Sequence, residues 1–188
     1  MNKGGLFVHK DIEKILYSEQ DIKNIVKRLA KEIEKDYNGK DFIMVGLLKG
    51  CVSFMVDLMR EVNLDFSIDF LAVSSYGNST VSSGRVNIQK DISTSVDGKH
   101  ILIVEDIVDS GRTLAFISQY LYAKNAASVK ICTLFNKPDR RVTDIDVVYV
   151  GSVIPDAFIV GYGLDYAERY RNLPYVGVLK ESVYSQDT

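Results

Sequence analysis

Residues Ile101 to Leu114 read Ile-Leu-Ile-Val-Glu-Asp-Ile-Val-Asp-Ser-Gly-Arg-Thr-Leu, an apolar run, two adjacent acids, then a short turn that leads into helical periodicity. The turn Asp109 to Thr113 presents successive backbone N–H groups at a helix start, where unpaired donors and the macrodipole favour an anion. Ser110 and Thr113 add hydroxyl donors, and Gly111 permits the close backbone approach that a phosphate needs. Glu105 and Asp106 would repel that phosphate, so they suit sugar hydroxyls or a hard cation bound through oxygen. Asp109 and Ser110 are also ordinary N-cap residues, and capping alone explains either one. Capping does not explain two acids at the end of an apolar strand, where charged groups need a partner.

These residues must be positioned by a sheet. Ile101 to Val104 has the β-branched, unbroken apolar character of a strand buried on both faces, which belongs to parallel sheets with helical crossovers. Ligands bind beyond the carboxyl ends of such strands. Neighbouring side chains of a regular strand point to opposite faces, so the strand is expected to end at Val104 if both acids serve one ligand.

The flanking sequence alternates in the same way. Ser18 to Tyr37 predicts a helix opened by a capping-box variant, Ser18 with Asp21, and carries an apolar stripe at Ile22, Ile25, Val26, Leu29, Ile33 and Tyr37. Phe42 to Leu48 predicts a buried strand, followed by a helix from about Cys51 to Val62. Strands are expected at Ile68 to Val73 and Val86 to Ile92, flanking a long polar loop from Ser74 to Arg85. A helix from Gly111 to about Lys124 is expected next, then strands at Val129 to Phe135 and Val147 to Val150. Alternation of this kind predicts a doubly wound α/β fold with a mostly parallel twisted sheet flanked by helices. The segment Gly151 to Thr188 breaks the rhythm with Pro155 and Pro174 and short apolar pieces at Phe158 to Val160 and Val176 to Leu179, and reads as a cap.

With 188 residues the chain fits one domain. A formal charge of −2 and a pI near 5.7 argue against broad electrostatic binding to nucleic acid. Cys51 and Cys132 are the only cysteines, lie in apolar segments and have no metal-ligand spacing, so both are expected to be buried thiols. No signal-peptide pattern and no run of about 18 apolar residues is present, which predicts a cytoplasmic protein without membrane association.

The run Glu105 to Thr113 resembles the phosphoribosyl-pyrophosphate-binding motif of the type I phosphoribosyltransferases, with two acids, two more residues, then Asp-Ser/Thr-Gly and Thr. The resemblance implies that the turn Asp109, Ser110, Gly111, Arg112 and Thr113 holds the ribose 5-phosphate and that Glu105 and Asp106 contact the ribose hydroxyls. Arg112 departs from several relatives, which carry Lys or a neutral residue there. Other segments match the purine-specific members in order. Leu48-Lys49-Gly50 matches a backbone segment that holds pyrophosphate through a cis peptide. Ser75 and Tyr76 match a Ser-Tyr pair in a flap that closes over the reaction centre and excludes water. Lys137 matches a lysine that donates to the 6-oxo group of the base, a contact that adenine's amino group cannot return. Val153 to Tyr166 resembles the purine-binding segment of hypoxanthine-guanine phosphoribosyltransferases. By that match Phe158 stacks on the base, the Ile159 backbone reads its edge and Ile107 borders it. Arg171 matches an arginine that binds pyrophosphate.

The resemblance further implies Mg2+, held by Asp165 with Glu105 and Asp106 as additional candidate oxygen ligands, and Asp109 as the base that accepts the purine N7 proton. It implies a core of about 18–150, a hood built from about 1–17 and 151–188, and a homo-oligomer, dimer or tetramer. The implied reaction joins hypoxanthine or guanine to 5-phosphoribosyl 1-pyrophosphate. Regulators that keep the motif and bind nucleic acid are the alternative from another class, disfavoured by the acidic pI, the lack of an added helix-turn-helix and the complete purine segment. Lys137 and Phe158 argue against pyrimidines, while xanthine stays open.

Overall fold

The computed structural model describes residues 8–75 and 86–185. In chain order the elements are β1 (Ile12–Tyr17), α1 (Glu19–Tyr37), β2 (Phe42–Leu48), α2 (Val52–Glu61), β3 (Ser67–Ser75), β4 (Val86–Lys90), β5 (His100–Val108), α3 (Arg112–Ala123), β6 (Ser128–Asn136), β7 (Tyr149–Val153), β8 (Ile159–Val160), β9 (Val176–Leu179) and α4 (Glu181–Tyr184).

The main sheet has the order β4-β3-β2-β5-β6-β7, parallel except for the antiparallel β3–β4 pair. From β2 the chain winds outward through α2 to β3, and from β5 it winds the other way through α3 to β6. The strand order therefore reverses between β2 and β5, where a crevice opens at the carboxyl ends.

Period-two alternation assigns the core. In β5, Leu102 and Val104 join α1 and α2 in one apolar cluster, whereas Ile101 and Ile103 join Leu114, Ile117 and Leu121 of α3 in a second on the other face. Helix α1 forms because its stripe of Ile22, Val26, Leu29, Ile33 and Tyr37 is buried and its start is closed reciprocally. Asp21 N–H donates to Ser18 Oγ, and Ser18 N–H donates to Asp21 Oδ2. Fully burying one such Leu or Ile contributes about 1.5–3 kcal/mol, which dominates the helix's own propensity.

Both described ends of the chain meet in a separate antiparallel sheet, β1-β9-β8, which encloses a third apolar cluster around Tyr175 and Val160. Among the described residues no helix is long and apolar enough to cross a membrane, and both cysteines are buried free thiols.

Three expectations need correction. β5 does not stop at Val104 but runs to Val108, because its ladder with β6 continues through Glu105↔Thr133, Ile107↔Phe135 and Val108↔Asn136. The seventh strand lies at Tyr149–Val153 rather than Val147 to Val150, set by pairing of Tyr149 with Cys132 and Val153 with Asn136. Helix α3 starts at Arg112, and its N-cap is the left-handed Gly111 without any side-chain bond, so neither Asp109 nor Ser110 caps it. Within the expected hood, Ile12–Tyr17 is a strand held by β9.

Candidate active site

The crevice between β2 and β5 is assembled by glycines. At the end of β2 the Leu48–Lys49 peptide is cis. A Cβ on Gly50 would stand 1.8 Å from Asp106 Oδ2, and one on Gly163, at φ 101°, would stand 2.1 Å from the Gly50 carbonyl. Only backbone without a side chain lets the β2 end, the β5 acid and the Gly163–Asp165 segment close on each other. The Lys49 ammonium pairs with exposed Glu168 at 3.1 Å. Ser75 ends β3 opposite Val86, and Tyr76 lies outside the described residues.

β5 continues past Val104, but its alternation breaks before Ile107, which packs with the α1 and α2 cluster while Val108 packs with the α3 cluster, the reverse of Leu102 and Ile103. Glu105 borders a cavity with Asp109, Ser110, Gly111 and Thr113. Asp106 borders a second cavity with Asp109, Lys137, Phe158 and Asp165, while Ile107 borders both. Glu105 Oε2 is buried and has no hydrogen-bond partner among the described residues. Burial, with the charges of Asp106 and Asp109, pushes the Glu105 pKa well above the usual carboxylate range. Burial also pushes Asp106 up to about 6, against the Ile107 N–H that donates to it at 2.8 Å and the nearby Arg171 charge. A buried carboxyl with a partnerless oxygen beside a second one raised by burial is a pair that donors brought by a ligand would satisfy.

The turn between β5 and α3 is held from outside. Gly111 has φ 81°, which a residue with a Cβ resists. Arg141, which no sequence signal singles out, donates through Nε to the Asp109 carbonyl at 3.1 Å, and Val142 N–H donates to the Ser110 carbonyl at 3.1 Å. Arg112 is exposed beside Ser110 and touches no acid of the site.

The second cavity encloses about 470 Å³. Lys137, just past β6, is buried, and its ammonium donates to the Ala157 carbonyl at 2.8 Å. The same nitrogen lies 3.9 Å from Asp109 Oδ1 and 3.8 Å from Asp156 Oδ1. Asp156 is paired with Arg140 at 2.7 Å. Phe158 stays 40% exposed, an unusual state for a large ring, with Tyr184 stacked at 5.0 Å and Tyr166 edge-on at 5.5 Å. Ile159 is buried in β8, and Leu179 N–H fixes the Phe158 carbonyl at 2.9 Å.

Arg171 closes the far side. It pairs with Asp165 at 2.9 Å and Glu168 at 3.4 Å, donates to the Gly163 carbonyl at 2.8 Å, and its Nε is buried without a partner among the described residues. Asp165 also accepts the Glu168 N–H at 2.9 Å. Lys49 and Gly50, Glu105 to Ile107, Asp109 to Thr113, Lys137, Phe158, Ile159, Asp165 and Arg171 gather at the carboxyl edge of the main sheet, and of Ser75 only the backbone place at the end of β3 is described. Arg140, Arg141, Asp156 and Tyr184 join them through contacts across the fold that spacing does not encode.

A family described as phosphoribosyl transferase domain matches residues 13–167. The hypoxanthine-guanine phosphoribosyltransferase of Streptococcus pyogenes serotype M3 is 52% identical over 179 residues, covering 95% of this chain and 99% of that protein. A bifunctional TilS/HprT protein of Listeria monocytogenes is 49% identical over 183 residues, 97% of this chain, which spans only 28% of that longer relative. The crystal structure of a hypoxanthine phosphoribosyltransferase from Staphylococcus aureus superposes with a TM-score of 0.91 at 49% identity, covering 94% of this chain and 96% of that one. The chain belongs to the phosphoribosyltransferase family, within its hypoxanthine-guanine branch.

Proposed function

We propose that the chain transfers the 5-phosphoribosyl group from 5-phosphoribosyl 1-pyrophosphate to hypoxanthine or guanine, giving the nucleoside monophosphate and pyrophosphate. The observation that carries this reading is the cavity that brings Asp109, Lys137 and the exposed Phe158 ring to one space beside the phosphate-sized turn. The 5-phosphate sits on the amides of Ser110 to Thr113. Glu105 and Asp106 accept from the ribose hydroxyls, which supply the donors those buried carboxyls lack.

The purine stacks on Phe158 with its edge toward Ile159 and Ile107. Lys137 commits one of its three N–H donors to Ala157, which leaves donors for a 6-oxo group and none that adenine's amino group can use. Asp109, half-exposed and 3.9 Å from that ammonium, accepts the N7 proton as N9 attacks the ribose carbon. Arg171 and the backbone at Lys49 and Gly50 face the leaving pyrophosphate. Lys49 holds its own charge on Glu168, so its part is played by the main chain.

The donor set suits Mg2+. Asp106 and Asp165 border the same cavity with hard carboxylate oxygens, and magnesium takes only one or two carboxylates with waters and substrate phosphate. Bound there, it would neutralise charge on the pyrophosphate. Glu105 borders the turn cavity and not the one that Asp106 and Asp165 share, so it is less suited to that ion than to a sugar hydroxyl.

We further assign residues 1–188 to one catalytic unit with a core of about 18–150 and a hood of about 1–17 and 151–188, acting in the cytoplasm as a homo-oligomer. The test is pyrophosphate release with hypoxanthine, guanine, xanthine, adenine and uracil. Release with hypoxanthine or guanine and none with adenine or uracil supports the assignment. Binding of 5-phosphoribosyl 1-pyrophosphate without release for any base overturns it.

A further inference from the structure

The turn Asp109–Gly111 is gripped by its carbonyls. Arg141 Nε takes the Asp109 oxygen at 3.1 Å, and Val142 N–H takes the Ser110 oxygen at 3.1 Å. In a trans peptide the C=O of one residue and the N–H of the next lie in one plane and point in opposite directions. Holding the Asp109 carbonyl therefore aims the Ser110 N–H away from Arg141, and holding the Ser110 carbonyl aims the Gly111 N–H the same way. Ser110, Gly111 and Thr113 line a cavity that neither Arg141 nor Val142 lines.

Arg141 is itself anchored. Its second guanidinium nitrogen donates to Asn136 Oδ1, and Asn136 is paired in register with Val108 at the end of β5. Its stem lies where a Cβ on Gly111 would meet Cδ at 2.9 Å, so the glycine that gives the turn its left-handed dihedral also gives the arginine its seat. A cation on the carbonyl side of a peptide also polarises it and strengthens the N–H on the other side.

We infer that Arg141 is a positioning residue that aims and polarises the phosphate-binding amides of Ser110 and Gly111 from behind, without touching the substrate. The inference rests on the proposed phosphoribosyl transfer for the identity of the anion. It separates Arg141 from Arg112, which lies within the turn yet is exposed and grips neither carbonyl.

The test uses Arg141→Ala, Arg141→Lys and Asn136→Ala in the full chain, with thermal denaturation as the folding control. Steady-state assays give KM for 5-phosphoribosyl 1-pyrophosphate and for hypoxanthine, and calorimetry gives the affinities of ribose 5-phosphate and of inorganic pyrophosphate separately. Loss of one charged hydrogen bond predicts a roughly tenfold weaker ribose 5-phosphate and a matching rise in KM for the donor substrate in Arg141→Ala. Pyrophosphate affinity and KM for hypoxanthine stay within about twofold. Arg141→Lys keeps the charge but cannot bridge Asp109 and Asn136, so it stays close to Arg141→Ala, and Asn136→Ala moves in the same direction by less. Wild-type ribose 5-phosphate affinity in Arg141→Ala or Arg141→Lys overturns the inference, as does an equal loss for pyrophosphate. Should the wild type release no pyrophosphate with any base, the ribose 5-phosphate calorimetry still decides it. If Arg141→Ala does not fold, Arg141→Lys and Asn136→Ala decide it.

Discussion

Two buried acidic positions of the main sheet are treated in opposite ways. Asp69 in β3 is 8% exposed and accepts from Phe70 N–H at 2.7 Å, Ser93 N–H at 2.7 Å, Thr94 N–H at 2.8 Å and the Lys90 ammonium at 3.2 Å. Burial alone raises its pKa, but those donors outweigh burial and bring it to about 2. Asp106 is as buried at 9% exposed but has fewer donors, and Glu105 Oε2 is buried with no partner among the described residues, so burial wins and the pKa values of both rise. A carboxylate saturated by the chain ties β3 to β4 and the loop after it, whereas carboxyls left short of donors await a ligand that brings them.

The largest effect is expected at Asp109. Asp109→Asn keeps the size of the side chain and loses the proposed base, so kcat for pyrophosphate release is expected to fall about 10²- to 10⁴-fold with an unchanged circular dichroism spectrum. Asp69→Asn should do the reverse. Removing the charge from a site of four donors costs about 2–3 kcal/mol in urea unfolding while turnover per folded molecule stays near wild type.

The pH dependence carries the same contrast. Asp69 has a depressed pKa in the folded protein, so its stabilisation, about 2 kcal/mol, is present above the ordinary carboxylate value near 3.8 and is lost as pH falls toward about 2. Asp106 has a raised one, so its contribution is fully present below about 3.8 and is lost as pH rises through about 6. Urea unfolding of wild type and Asp106→Asn between pH 4 and 7 should show the variant gaining on the wild type as pH rises. The smallest effect is expected at Lys90, whose half-exposed ammonium supplies only one of the Asp69 contacts. Lys90→Met should cost about 1 kcal/mol in the same unfolding assay.

Much of this was legible in the chain because its signals are local. Ser18 and Asp21 mark the start of α1 through bonds three residues apart, and the apolar run before Glu105 can only be a two-faced buried strand. The end of β5 was misjudged for a physical reason. Two adjacent acids look like a strand terminus, yet a ladder with β6 carries the strand on to Val108, with its alternation broken before Ile107. Arg141 was invisible because its role depends on a carbonyl 32 residues away and on Asn136 across the β6 end. Tyr184 was missed similarly, since its stack on Phe158 is formed only when β9 brings the chain back.

In the proposed reaction the β5 edge holds a sugar phosphate supplied from outside. Glu105→Gln tests this by chemical unfolding with and without 5-phosphoribosyl 1-pyrophosphate and Mg2+. Replacing a carboxyl whose buried oxygen has no partner among the described residues should leave the unliganded protein at least as stable as wild type, while the stabilisation brought by the ligand shrinks. A Glu105→Gln protein destabilised without ligand as strongly as Asp69→Asn, and stabilised by ligand as much as wild type, would contradict it.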